Sequence, residues 1–184
     1  MKPRFKVLQL QPDYNVKTHD FADLGEQIVK SLPAERFEVT SGFLSGRPLP
    51  GQPLSVAEHS HYFELPEKSL KGIRFGAMWQ IYKYCREQKF DVVICNRFKS
   101  VNMMLSLNRW LKIPLCIGIS HGFGEYARGY RRRQTQRWVS PAWRFVGVSE
   151  AVKDYLVDLN CGFTRENTTY VTNAIDIPQA EALQ

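Results

Sequence analysis

Two nearly continuous apolar runs in the middle of the sequence restrict what this chain can fold into. Residues Phe90 to Cys95 and residues Ile113 to Ile119 lack the polar alternation of a strand with one wet face. Runs of this kind are typical of central parallel strands that helices cover on both faces. A helical pattern from Lys99 to Lys112 lies between them, so the segment is predicted to be a strand–helix–strand unit.

Shorter strand and helix patterns alternate on both sides of this unit. Further strands are predicted at Arg4 to Leu10, Phe37 to Phe43, Tyr62 to Leu65, Arg144 to Val148 and Thr169 to Thr172. Further helices are predicted from an Asp20 N-cap to Pro33, at Ser69 to Gln88, at Arg128 to Val139, and from a Ser149 N-cap to Leu159. The alternation predicts an α/β fold: a doubly wound, mostly parallel, Rossmann-like sheet flanked by helices.

Length and composition exclude several classes of protein. A chain of 184 residues is expected to form one domain, and it contains no apolar stretch long enough for a membrane-spanning helix. Its four cysteines form no CxxC pair, which favours buried thiols in a reducing, cytoplasmic compartment over a zinc or disulfide framework. His59 and His61 are interpreted as surface histidines, and no metal or other cofactor is expected.

The positive charge of the chain is concentrated in one segment. The net charge is +7, and the interval between Glu125 and Glu150 contains six arginines and no acidic residue. Aromatic side chains interleave these arginines, as in segments that lie on an anionic bilayer or bind a phosphorylated substrate. A solvated basic helix face remains the plainer alternative; nucleic acid is not expected, because no nucleic-acid motif is visible. The candidate contact residues are Arg128, Arg131, Arg132, Arg133, Arg137 and Trp138.

Polar residues follow the predicted strands at the end where α/β sheets bind ligands. The candidates are Asp20, Asn96, Arg97, His121, Gly122, Glu125 and Ser149. His121 could be a strand-end histidine bound to a backbone carbonyl, or it could bind a sugar hydroxyl or stabilise developing charge. The loop after the first strand contains no glycine, and neither a phosphate-binding P-loop nor a GxSxG motif exists, which disfavours NAD-dependent, ATPase and hydrolase functions.

The last third of the sequence carries a family resemblance. Residues 143–156 (WRFVGVSEAVKDYL) and 169–176 (TYVTNAID) resemble the retaining glycosyltransferase family 4, whose members have the GT-B fold. Ile119 to Gly122 is similar to the family's strand-end histidine near the donor sugar, so the resemblance makes His121 the catalytic candidate, and Asn173 matches the family's hinge turn. Two features depart from the family: the loop after strand one lacks its glycines, and the hinge has Ala174 where glycine is usual.

The resemblance implies the acceptor-side half of a glycosyltransferase. Residues 1–177 are expected to form the N-terminal acceptor-binding domain, and 178–184 the start of a linker to a C-terminal donor domain outside this chain. The completed enzyme would move a hexose from a nucleotide-sugar to a glycan or lipid-linked acceptor, such as a lipopolysaccharide core, at the inner membrane face. This chain alone would then be inactive. The alternatives are a stand-alone nucleotide- or sugar-binding module and a basic membrane-surface adaptor without catalysis.

Overall fold

The computed structural model describes residues 3–14, 23–66 and 75–172. Within these ranges the chain forms one sheet of seven parallel strands with lateral order β3-β2-β1-β4-β5-β6-β7. The strands are β1 (Phe5–Asp13), β2 (Phe37–Ser45), β3 (His59–Tyr62), β4 (Val92–Asn96), β5 (Leu115–Ser120), β6 (Trp143–Gly147) and β7 (Thr168–Tyr170). The helices are α1 (Leu24–Ser31), α2 (Phe75–Gln88), α3 (Arg97–Leu111), α4 (Gly129–Trp138) and α5 (Glu150–Asp158). The predicted doubly wound parallel sheet is confirmed.

The helices divide the core between the two faces of the sheet. The larger apolar cluster joins β1, β4 and β5 to the buried sides of α2, α3 and α5, and α4 packs on α3. The smaller cluster, on the opposite face, contains Val29 of α1 together with Val7, Val39, Ile94 and Ile119. Alternate residues of one strand point to opposite faces, so Ile94 meets the second cluster and Cys95 the first. This two-sided burial explains why the central strands have no polar alternation.

The strand order reverses direction at β1. Strand β1 pairs with β2 on one side and with β4 on the other. From β1 the chain continues to β2 and β3 at one edge of the sheet, and from β4 it continues to β5, β6 and β7 at the opposite edge. In open α/β sheets, the crevice at such a reversal, outside the carboxyl ends of the strands, is where ligands bind. The candidate site is therefore expected beside the ends of β1 and β4.

Three predicted boundaries are corrected by the structure. The N-cap of α1 is Asp23 rather than Asp20, because the Asp23 carboxylate accepts hydrogen bonds from the Gly25 and Glu26 amides at 2.7 and 3.3 Å. Strand β1 continues past the predicted end to Asp13, since it keeps β2 as a neighbour after losing β4. Strand β3 is His59–Tyr62 and shares only Tyr62 with the predicted strand Tyr62 to Leu65, because it is His59 to Tyr62 that pair with Thr40 to Phe43 of β2.

Some predicted features lie outside the described residues. These are the proposed cap and site residue Asp20, the hinge residue Asn173, the linker 178–184, and residues 69–74 of the predicted second helix. The remaining helices agree with the sequence patterns to within two residues at each end, and Ser149 caps α5 as predicted, with its Oγ accepting from the Val152 amide at 3.2 Å. All four cysteines are buried free thiols, also as predicted.

Candidate functional site

Three polar side chains lie at the carboxyl ends of the central strands, on one face of the sheet. Gln11 of β1, Asn96 of β4 and His121 after β5 alternate with residues of the larger core, which places them on the sheet face that carries α1. His121 Nε2 lies 3.4 Å from Asn96 Oδ1. The Asn96 side chain is buried, and its Nδ2 has no hydrogen-bond partner among the described residues. The structure therefore brings together two of the predicted site residues, with one amide donor left unused.

Glu125 anchors the loop that carries His121. Its Oε1 accepts from the His121 backbone amide at 2.8 Å, and its Oε2 accepts from the Phe98 amide at 2.9 Å. Phe98 is the second residue of α3, and Asn96, which occupies the N-cap position, makes no side-chain cap bond. The Glu125 carboxylate thus satisfies one of the amides that a helix leaves free at its N-terminus. Burial nevertheless raises the pKa of Glu125, against the opposing effect of these two hydrogen bonds.

His121 is held in its neutral form. Burial lowers the pKa of His121 to about 4, the positive charge of Arg97 acts in the same direction, and Asp23 opposes both. A neutral imidazole has one nitrogen that donates and one that accepts, which suits a sugar hydroxyl better than an anion. Arg97 itself is exposed and has a left-handed backbone with a φ of 61°, an arrangement that L-residues adopt at a cost and that is concentrated at functional sites.

The N-terminus of α1 supplies site residues that the sequence analysis missed. The Gln11 amide donates to the Asp23 carboxylate at 3.3 Å, so the α1 cap is tied to the end of β1. Glu26 is fully buried and accepts from the Ser55 hydroxyl and the Val56 amide, each at 2.8 Å. Asp23 and Glu26 have the spacing of a capping box, a signal by which the correct cap could have been found.

Gly122 and Ser149, two further predicted site residues, make no side-chain contact with Asn96 or His121 that the structure shows. A Cβ on Gly122 would meet no atom within 4 Å, so packing does not require a glycine there. Ser149 is occupied as the cap of α5. Its position after β6 keeps it at the same edge of the sheet as His121, one strand further from β1.

The arginines of α4 divide into an inward and an outward set. Arg131 is half-buried: its guanidinium donates to the Glu125 carbonyl and lies 4.3 Å from the centre of the Phe98 ring. It therefore supports the His121 loop rather than the outer surface. Trp138 is also half-buried, and Arg137 lies 5.0 Å from the centre of its ring. The outward members are Arg128, at the N-cap position of α4, and Arg132, Arg133 and Arg137 within the helix.

The part of the chain that the structure describes contains neither a candidate metal site nor a candidate membrane span. No group of three or more potential ligands that could hold a metal ion occurs among its residues. No helix among these residues is both long enough and apolar enough to cross a membrane.

The two histidines that were interpreted as surface residues differ in exposure. His59 is exposed as predicted, but His61 is half-buried because its ring stacks on Tyr84 at a centroid distance of 3.8 Å.

The pKa of His121 predicts a pH dependence of stability. The unfolded chain binds a proton at His121 below about pH 6.5, whereas the folded chain does so only below about pH 4. The free energy of unfolding should therefore fall as pH drops through this window, by up to about 1.4 kcal/mol per pH unit. Urea denaturation of the wild type and of His121→Gln, between pH 4 and 7, isolates this contribution from that of the carboxylates. Equal pH slopes in the two proteins would contradict the neutral buried imidazole.

Comparison with known proteins gives one family. The sequence model of Glycosyltransferase Family 4 matches residues 26–179, which include all five helices described here except the first two residues of α1. A sequence search of the curated proteins gives no match.

Solved structures share the fold at low sequence identity. HepE from Anabaena, crystallised with UDP and glucose, is 14% identical with a TM-score of 0.63 over 95% of this chain and 46% of its own. The lipopolysaccharide outer core galactosyltransferase WaaB is 11% identical with a TM-score of 0.63 over 94% and 47%. The UDP-GlcNAc 2-epimerase from Neisseria meningitidis is 12% identical with a TM-score of 0.60 over 97% and 48%. The chain thus spans about half the length of these proteins.

Proposed function

Because this chain belongs to Glycosyltransferase Family 4, we propose that it is the acceptor-binding half of a retaining glycosyltransferase. The observation that carries the proposal is the pairing of a neutral His121 with Asn96, whose buried Nδ2 has no partner among the described residues. A buried donor without a partner costs about 1–3 kcal/mol, which a bound hydroxyl group would recover. A sugar hydroxyl group can both donate a hydrogen bond to the imidazole and accept one from Asn96 Nδ2. A carbonyl or an anion can only accept.

The reaction would move a hexose from a nucleotide-sugar to an acceptor hydroxyl. The anomeric carbon exchanges its bond to a diphosphate oxygen for a bond to the hydroxyl oxygen, and the hydroxyl proton leaves with the nucleotide. The neighbours HepE and WaaB, one bound to UDP and glucose and the other a galactosyltransferase, support this class of donor. Donor binding would require a second domain, so the chain alone is expected to be inactive. As the family resemblance implies, we expect the reaction to require no metal.

The residues of this chain would bind and orient the acceptor. Asn96 would hold an acceptor hydroxyl group, and His121, as the catalytic residue, would hold a hydroxyl group where the acceptor meets the donor sugar. The Glu125 carboxylate would keep the His121 loop at a fixed distance from α3. Arg97 and Ser149 lie at the same edge and would border the acceptor. Orientation of this kind accelerates transfer because it replaces a random encounter by a fixed approach.

The outward arginines of α4 would bring the chain to its acceptor. Arg132 and Arg133 are exposed, adjacent and free of acidic neighbours in sequence, which suits phosphate groups of a lipid-linked acceptor and of the inner membrane face. A cytoplasmic, peripheral location follows from this proposal, with lipopolysaccharide synthesis as the pathway class that WaaB represents. The alternatives are a nucleotide- or sugar-binding module and a basic membrane adaptor without catalysis.

Ligand titration tests the proposal. We expect a lipopolysaccharide core oligosaccharide to shift the backbone amide resonances of residues 96–98 and 120–125, and to do so at lower concentration than UDP-glucose. His121→Ala should weaken oligosaccharide binding about tenfold, the equivalent of one lost hydrogen bond of about 1.4 kcal/mol. His59→Ala, a change at an exposed histidine, serves as the control and should bind like the wild type.

Each alternative predicts a different titration. Tighter binding of UDP-glucose than of oligosaccharide would favour the nucleotide-binding module. An adaptor would be insensitive to His121→Ala and would depend on Arg132 and Arg133 alone. Either result would overturn the acceptor-binding function.

A further inference from the structure

Large aromatic side chains are exposed on neighbouring parts of α2 and α3. Phe75 is 82%, Trp79 64% and Trp110 63% exposed. Trp79 stacks on Tyr82 with ring centroids 5.6 Å apart. Together with Met78 and Leu107 these side chains line a groove of about 330 Å³. We call this set of six residues the aromatic surface. A contiguous exposed apolar patch marks an interaction site more often than scattered apolar residues do.

Basic side chains line two grooves that adjoin the aromatic surface at Trp110. A second groove of about 420 Å³ shares Tyr82 and Trp110 with it and is lined by Arg86 and Lys89. A third groove, of about 410 Å³, shares Trp110 and is lined by Arg109 and Lys112. No acidic residue lines any of the three grooves. Glu87, which is adjacent in sequence to Arg86, forms an ion pair with Lys83 of the same helix at 3.9 Å.

We propose that the aromatic surface docks on an anionic phospholipid bilayer. Tryptophan and tyrosine rings are the side chains that favour the headgroup level of a bilayer, because they are apolar with one polar atom. Basic residues at the edge of such a patch are attracted to anionic headgroups. The absence of acidic lining makes the charge of the patch complementary to that of the bilayer. A symmetric contact between two copies of this chain would instead place like charges opposite each other.

The aromatic surface is continuous with the C-terminal end of α4. The Arg109 guanidinium lies 5.2 Å from the Trp110 ring centre and 3.8 Å from the Trp138 ring centre, so it bridges the two helices. The inference therefore rests on the membrane location proposed above and adds a second, apolar contact to the α4 arginines. Asn96 and His121 lie on the opposite sheet face, at the other end of α3, so docking would leave the candidate site open.

Vesicle binding by the 184-residue chain tests the inference. The probes are vesicles of phosphatidylcholine alone and of equal parts phosphatidylcholine and phosphatidylglycerol, at low and at physiological salt. We expect binding to the mixed vesicles that Trp79→Ala combined with Trp110→Ala weakens at least tenfold. Both side chains are mostly exposed, so the variant should keep its fold. The control Phe123→Ala removes an aromatic ring that is 66% exposed elsewhere, and should change binding less than twofold.

A second variant separates this inference from the proposed function. Arg132→Gln combined with Arg133→Gln removes charge from α4 and leaves the aromatic surface intact. If that variant loses binding while the double tryptophan variant keeps it, the aromatic surface is not the docking site, although the α4 contact stands. If the wild type binds no vesicles, both membrane statements fail, but the oligosaccharide titration is unaffected. Concentration-dependent self-association that Trp110→Ala abolishes would assign the surface to a second copy instead.

Discussion

Glu125→Ala is expected to lower the free energy of unfolding by at least about 2 kcal/mol. The change leaves the amides of His121 and Phe98 without their acceptor, and each unsatisfied donor at a partly buried position costs about 1–3 kcal/mol. The first turn of α3 also loses the negative charge that stands in for its missing side-chain cap. Urea denaturation measures the effect as a lower midpoint at unchanged slope.

Two further variants provide reference values for the expected loss of stability. Glu125→Gln keeps one carbonyl oxygen for one of the two amides, so it should lose about half as much stability as Glu125→Ala. Glu87→Ala is the matched control, because Glu87 is exposed and forms an i,i+4 ion pair with Lys83 at 3.9 Å. Such a pair contributes about 0.3–0.5 kcal/mol. A Glu125→Ala protein as stable as Glu87→Ala would show that the carboxylate does not hold the loop.

The central strands could be predicted because they are buried on both faces. The apolar runs before Asn96 and Ser120 admit no amphipathic helix, and each was assigned as a strand to within two residues at its start. The edge strand β3 was misplaced because its position is set by pairing with β2, whose Thr40 to Phe43 lie opposite His59 to Tyr62. No apolar pattern in the polar segment His59 to Tyr62 indicates that register.

The candidate site could be predicted only where it follows these central strands. Asn96 and His121 were identified because each comes directly after a buried strand. Their joint dependence on Glu125 could not be foreseen, since the bond from Phe98 spans 27 residues and requires β4 and β5 to be neighbours. Likewise, Asp23 enters the site through the packing of α1 against Gln11, a contact that the local sequence does not specify.

Gly147→Ala is expected to destabilise the protein strongly. A Cβ on Gly147 would lie 2.6 Å from the Lys153 amide nitrogen and 3.1 Å from the Ser149 carbonyl oxygen. Both are backbone atoms, one in the N-cap and one in the first turn of α5, so no rotamer change can relieve the contact. Forcing extra atoms into a packed interior typically costs about 1–3 kcal/mol, and the upper end is expected here because α5 must move as a unit.

A displacement of α5 by Gly147→Ala would also affect the candidate site. Ser149 caps α5 and lies at the same carboxyl-end edge of the sheet as His121. Gly147→Ala should therefore weaken the Ser149 cap, which appears as faster hydrogen exchange at the amides of the first turn of α5. Gly129→Ala is the control: its Cβ would meet no atom within 4 Å, and alanine in a helix is favoured over glycine by up to about 1 kcal/mol. If the two variants were equally stable, the close approach of α5 to β6 would not constrain residue 147, and the glycine in the Phe-Val-Gly-Val-Ser segment would have no packing role.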